Sequence, residues 1–283
     1  MRRSCVSILL LSAVLTAKSP DWERARELYQ STEYRESLGM LLPILQKDAG
    51  TFGLIGQNYF MMGDYKKATE ALEKAVAMEP NNAGFAHWLG RTYGRRAELG
   101  SPFTAPSYAT KARQMFEKSV ALDPSNKGAL GDLLDFYLEA PGLLGGGVHK
   151  AEELAVHIAR TDPAEGHYAL ALIEEKRKEY NAAEKQLRLA WELAPSQVGR
   201  VMDLAMFFAR RDRFNECEAM FDQAASMAPN NPKILFERAN TYIKEQRNLD
   251  QAKQLLQRYI RAPLTPDDPP RERAETLLKK IGA

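Results

Sequence analysis

Residues 49–82 read AGTFGLIGQNYFMMGDYKKATEALEKAVAMEPNN. Phe52, Ile55, Gly56 and Tyr59 recur at the three- and four-residue spacings that gather side chains on one face of a helix. Gly63-Asp64-Tyr65 signals a turn. After it Ala68, Leu72 and Ala75 mark the face of a second helix, which Pro80 terminates. The phrase is a helix–turn–helix whose paired faces carry small residues, so the two helices approach closely.

The phrase returns along the chain. Pro80, Pro124, Pro163, Pro195, Pro229 and Pro263 are spaced 44, 39, 32, 34 and 34 residues apart. Twelve residues before five of them stand Ala68, Ala112, Ala151, Ala183 and Cys217, and eight before stand Leu72, Phe116, Ala155, Leu187 and Phe221. The preceding helices repeat in turn: Ala86, Leu89, Gly90, Tyr93; then Leu130, Leu133, Leu134, Tyr137; then Val201, Leu204, Ala205, Phe208. Cys217 occupies a site that alanine fills in other copies, and a thiol there is a small buried hydrophobe.

With a large, a small and an aromatic residue on the first helix, then Ala, a large residue, Ala and Pro on the second, the unit resembles the tetratricopeptide repeat (TPR) family. The resemblance covers residues 18–265, with 18–48 a degenerate first copy and 49–265 the array proper. It implies an all-α fold: a right-handed α-solenoid of about six to seven helix–turn–helix repeats. Residues 266–283 follow, where the amphipathic stretch from Arg271 to Ile281 predicts a C-terminal capping helix.

Two copies are broken by insertions between their helices, near residues 95–110 and 139–150. Insertions into repeats map to loops on one face, often the binding face, and in neighbouring copies these two should lie side by side. The Gly145–Gly147 run lacks the Lys-Ser/Thr of a phosphate loop, since Val148 and His149 follow it.

The N-terminus has the layout of a secretory signal peptide. Arg2 and Arg3 precede the apolar run Val6–Leu15, no acid occurs before Asp21, and Ala17 offers a cleavage point. The run is far shorter than the roughly 20 residues that span a bilayer. Residues 1–17 are therefore expected to be removed, giving an exported protein, periplasmic or secreted, with no stable membrane span. The 39 basic and 37 acidic residues of the 283-residue chain leave a formal charge of +2, no footprint for nucleic acid.

Chemistry of the enzymatic kind is not legible. The four histidines (His87, His149, His157, His167) include no i, i+4 pair. The nearest cluster is Asp132, Asp135 and Glu139 on one helix face. It reads as an ion-pair ladder, with Arg91 opposite Asp135 and Arg95 opposite Glu139, ahead of a weak metal or acid/base site. No catalytic residue, metal or cofactor is expected.

The resemblance implies a concave groove lined by the first helices, holding an extended peptide or a partner's helix. Carrying the inner face along the copies nominates Gln57, Phe60, Met61, His87, Arg91, Arg95, Asp135, Tyr168, Met202, Met206, Phe236, Asn240 and Lys244. The carboxylate-clamp pattern of some TPR domains is missing, because Gly53, Gln57, Trp88, Gly128 and Asp132 stand at its places. The expected function is a non-catalytic protein–protein interaction scaffold for a partner the sequence does not name. The alternative is an accessory protein binding a small ligand at the charged centre of the groove and the two inserted loops.

Overall fold

In the computed structural model residues 19–282 are described, so the expected signal peptide at 1–17 lies outside them. Among the described residues there are fifteen α-helices and no strand. Fourteen form antiparallel pairs: α1 (Pro20–Gln30) with α2 (Tyr34–Leu41), α3 (Ala49–Met61) with α4 (Tyr65–Met78), α5 (Ala83–Glu98) with α6 (Ala105–Leu122), and α7 (Lys127–Glu139) with α8 (Val148–Thr161). Then come α9 (Pro163–Lys176) with α10 (Tyr180–Leu193), α11 (Val198–Ala209) with α12 (Phe214–Met227), and α13 (Pro232–Lys244) with α14 (Leu249–Arg261). A last helix, α15 (Arg271–Gly282), packs on α14 and α13. Each pair touches the next, which makes the all-α solenoid.

The intra-pair turn is built the same way in five pairs. Thr32, Gly63, Lys178, Asp212 and Gln246 each take a left-handed φ between 52° and 78° at the same turn position. The amide after each then reaches back to a carbonyl in the last turn of the first helix, as Asp64 N–H does to Tyr59 O at 2.9 Å and Arg213 N–H to Phe208 O at 3.0 Å. Glycine fits this backbone freely, whereas the four side-chain-bearing residues hold it with some strain. The two exceptions are the pairs carrying insertions.

Those insertions differ from the loops expected. Most of 95–110 is helix: α5 continues to Glu98 and α6 starts early at Ala105, leaving only 99–104 as a connection. Pro106 sits in the first turn of α6, where its missing N–H costs nothing. In the second insertion, 139–150, residues 140–147 connect the helices and hold a short 3₁₀ turn at Gly142–Leu144 that lies against α6, so the two are neighbours.

Small residues at the pair interface set the helix approach. A Cβ on Gly56 would stand 2.5 Å from Leu72 Cγ. Cys217 fills the corresponding interface in its own pair with no exposed surface, and burial pushes its thiol up to about 11, so it stays protonated and unreactive.

Caps recur with the repeat. Asn82, Asn126 and Asp162 each precede a first helix and accept from an amide of its first turn at 3.0–3.1 Å. Asp162 also takes the Lys127 ammonium at 2.7 Å, and that bond leads in holding its carboxyl below the usual range. Asp162→Ala is expected to lower stability by about 1 kcal/mol, read as a lower urea midpoint with an unchanged m-value. A midpoint unmoved within error would contradict the capping role.

Candidate functional site: the inner face of the first helices

Successive first helices lie side by side, α1 with α3, α3 with α5, α5 with α7, α7 with α9, and α11 with α13. The exception is α9 with α11, whose backbones make no close approach. Their ends are tied instead by ion pairs, Glu165 to Arg200 at 3.0 Å and Glu175 to Arg210 at 2.6 Å. Between these ties opens a cavity of about 350 Å³, lined by Asp135, Leu138, Tyr168, Leu172, Asp203 and Met206 among others.

Two further cavities border it. One of about 450 Å³ runs from Phe60 past Arg91 and Arg95 to Asp132, Asp135 and Glu139, walled by Ala140, Pro141 and Leu144 of the second insertion. The other, about 480 Å³, lies between α7, α8 and α9, and includes Asp132, Asp135, Glu165 and Tyr168. Asp135 lines all three.

The charges are arranged differently from the ladder read in the sequence. Arg91 lies 4.9 Å above the Phe60 ring and 4.4 Å above Trp88, and its nearest carboxylate is Asp132 at 3.7 Å, not Asp135. His87 Nε2 also meets Asp132, at 2.6 Å. Arg95 leans back over Tyr65 at 5.5 Å and pairs with Glu98, not Glu139. Glu139 pairs forward with Lys176 at 3.5 Å. Both arginines are drawn toward aromatic faces of the preceding pair, which attract a guanidinium by their quadrupole. Among the described residues Asp135 has no hydrogen-bond or ion-pair partner.

Its titration follows. Asp135 is exposed on the groove surface; partial desolvation by the surrounding groove, then repulsion from Asp132 and Glu139, push its carboxyl up to about 6. Asp203 is also pushed up to about 6, chiefly by burial, despite Arg200 at 3.5 Å. Burial likewise raises the Tyr168 phenol, with Asp203 and Asp135 both adding to the effect.

Of the nominated residues, Phe60, Arg91, Arg95, Asp135, Tyr168 and Met206 line these cavities. Gln57 and His87 are half-buried beside them and Lys244 is exposed farther along. Four are corrections. Met61 and Met202 are buried in hydrophobic clusters between pairs. Phe236 is fully buried against Tyr259 at 5.1 Å and under Arg273 of α15 at 5.3 Å, and Asn240 is 8% exposed. The terminal helix and inter-pair packing consume this end of the inner face.

Leu172, Glu175, Lys176, Asp203 and Arg210 line the central cavity and were not nominated. A signal existed: Glu165/Arg200 and Glu175/Arg210 are opposite charges 35 residues apart, one repeat length plus one.

The architecture defines a class: a helical-repeat protein whose first helices leave a charged inner face that, over its central part, no other described segment covers. Residues 50–82 match the tetratricopeptide repeat family. No curated protein matches the sequence. Among solved structures, a tetratricopeptide repeat protein from Parabacteroides merdae is 12% identical, with 93% of this chain and 98% of that chain covered and a TM-score of 0.57. TTC0263, a TPR protein of Thermus thermophilus, is 18% identical over 70% of this chain and 97% of that one, TM-score 0.51. Human IFIT1, solved as a dimer with PPP-AAAA, is 18% identical over 85% of this chain and 54% of that one, TM-score 0.55. At these identities the likeness is one of fold. The fold is that of a TPR solenoid.

Proposed function

We propose that this protein is an exported, non-catalytic scaffold whose concave face binds a peptide or helix of a partner protein. The observation that carries the reading is the run of open cavities from Phe60 to Arg210, built by the first helices and left uncovered by the other described residues. Helical-repeat scaffolds use such extended concave surfaces for recognition. Arginine and aromatic side chains, here Arg91 between Phe60 and Trp88, are the groups that interface hot spots favour. No helix among the described residues is long and apolar enough to cross a membrane.

Export is supported by the layout of residues 1–17 and is tested by sequencing the mature N-terminus, which should begin after Ala17. The scaffold is tested by cross-linking in native extracts with mass spectrometry. One protein partner is expected to be recovered by the native chain and lost with Arg91→Glu. Equal recovery by Arg91→Glu sinks this placement of the interface.

A second reading has its own support, because the second insertion walls the cavity of about 450 Å³ beside Arg91 and Arg95. That volume falls within the range of small-molecule sites. It predicts a saturable thermal shift with a small ligand and no protein partner.

A further inference from the structure

The four acids (Asp135, Glu139, Glu175 and Asp203) and two cations (Lys176 and Arg210) that line the central cavity do not cancel. Lys176 is engaged by Glu139 and Arg210 by Glu175, the latter through both guanidinium nitrogens Nε and Nη2 at 3.2 and 2.6 Å. Arg200 is shared between Glu165 at 3.0 Å and Asp203 at 3.5 Å, and also stacks 4.5 Å over the Tyr168 ring. Asp135 pairs with no cation among the described residues. Asp203 has only the long contact to Arg200: its Oδ2 is shut off from solvent and no hydrogen bond reaches it. A buried carboxylate oxygen without a donor is costly to keep and calls for an explanation.

The rest of the lining is apolar. Leu138, Leu172, Leu187 and Met206 form the floor, with the Tyr168 ring beside them. The cavity is thus an apolar channel with under-compensated anions, opened because α9 and α11 stand apart. Long basic side chains suit such a lining, since their methylene stems lie on apolar surface while the charged head seeks a carboxylate.

We infer that the interval between α7 and α11 docks a basic segment of a partner polypeptide, whose arginine or lysine side chains lie along Leu138, Leu172 and Met206 and reach Asp135 and Asp203. This rests on the scaffold reading and adds the charge of the ligand to it. Arginine fits better than lysine, because its planar, weakly hydrated guanidinium carries five donors in a fork that matches a carboxylate. Asp135 gains a cation in the complex, and Asp203 gains one in addition to Arg200.

The test uses a phage library of random dodecapeptides selected on the full chain, with the winning peptides then synthesised and titrated. Selected peptides are expected to carry two or more basic residues. Replacing arginine by its uncharged isostere citrulline should weaken binding at least 10-fold. Asp135→Asn and Asp203→Asn should each do the same to the arginine peptide and abolish the discrimination against citrulline. Glu70→Gln, on an exposed face away from the cavity, should bind like the native chain. Circular dichroism melts should show both asparagine variants folded at pH 7.

Peptides selected without basic enrichment, or bound equally by Asp135→Asn and Asp203→Asn, would overturn the basic-segment inference and leave the scaffold reading intact. If no peptide is selected and no cross-linked partner is found, both fall.

Discussion

Phe221→Ala is expected to lower the unfolding free energy by about 4 kcal/mol, among the largest effects a single truncation in this chain can have. Phe221 has no exposed surface. It belongs to the cluster that joins α10, α11, α12 and α13 through Leu187, Phe208, Cys217 and Ile234, and Arg238 lies 5.8 Å over its ring. Deleting the ring removes its burial and leaves a cavity the surrounding helices close only in part. In a solenoid each pair is stabilised by its neighbours alone, so the loss should also be local. Hydrogen exchange should show protection falling in α11–α13 while α3–α6 keep theirs. A drop under about 1.5 kcal/mol, or a uniform loss of protection, would contradict the packing described.

The locality has a structural seam to act on. Helix α9 gives Ala169 and Ile173 to one hydrophobic cluster and Ala171 to the next, while its backbone stays clear of α11. The two parts of the array meet there through α10 and through the ion pairs of Arg200 and Arg210 rather than through first-helix packing. The seam and the central cavity are one feature.

The helix pairs were legible in the sequence because a repeat of about 34 residues states each packing rule several times over. The small residue at Gly56, the large one at Leu72 and the stop at Pro80 are each restated in later copies, and local propensity and tertiary contact agree there. Length alone could not tell that the insertion after Arg95 would extend two helices. Alanines at 105, 109 and 112 with Pro106 in the first turn favour helix over loop there.

The inner face was less legible. Assigning residues by repeat position treats all copies as equivalent, and the ends of a solenoid are not. Phe236 occupies a groove position by count, yet α15 covers it. Charge partners were mis-set for another reason. Arg91 and Asp135 hold the same position in successive copies, but the arginine is turned back by Phe60 and Trp88, an attraction that a helix-to-helix register does not contain.

Asp203→Asn is expected to raise stability by about 2 kcal/mol at pH 8 and to have no effect near pH 3. The groups facing Asp203 are Arg200 and Arg210 of its own segment, Glu165 and Tyr168 of α9, and Lys233 of α13. Burial outweighs the three cations, so the native carboxyl titrates at about 6 against 3.8 when unperturbed. Between these values the folded state holds more protons than the unfolded one, and stability conferred through this group falls as pH rises. Above about 6 the native chain carries the full penalty of a desolvated charge; below about 4 the group is neutral in both states and native and variant converge. The displacement from 3.8 to about 6, in which the attraction to Arg200 is already set against burial, corresponds to about 3 kcal/mol and bounds the gain from above. Urea melts of native chain and variant at pH 3, 5 and 8 read the difference directly, and acid-labile pairs elsewhere, such as Asp162 with Lys127, cancel in the comparison. A variant less stable than the native chain at pH 8 would make Asp203 a structural partner of Arg200. A variant more stable means that an ionised carboxylate stands in the groove at the expense of stability, which is the trade expected of a residue kept for binding.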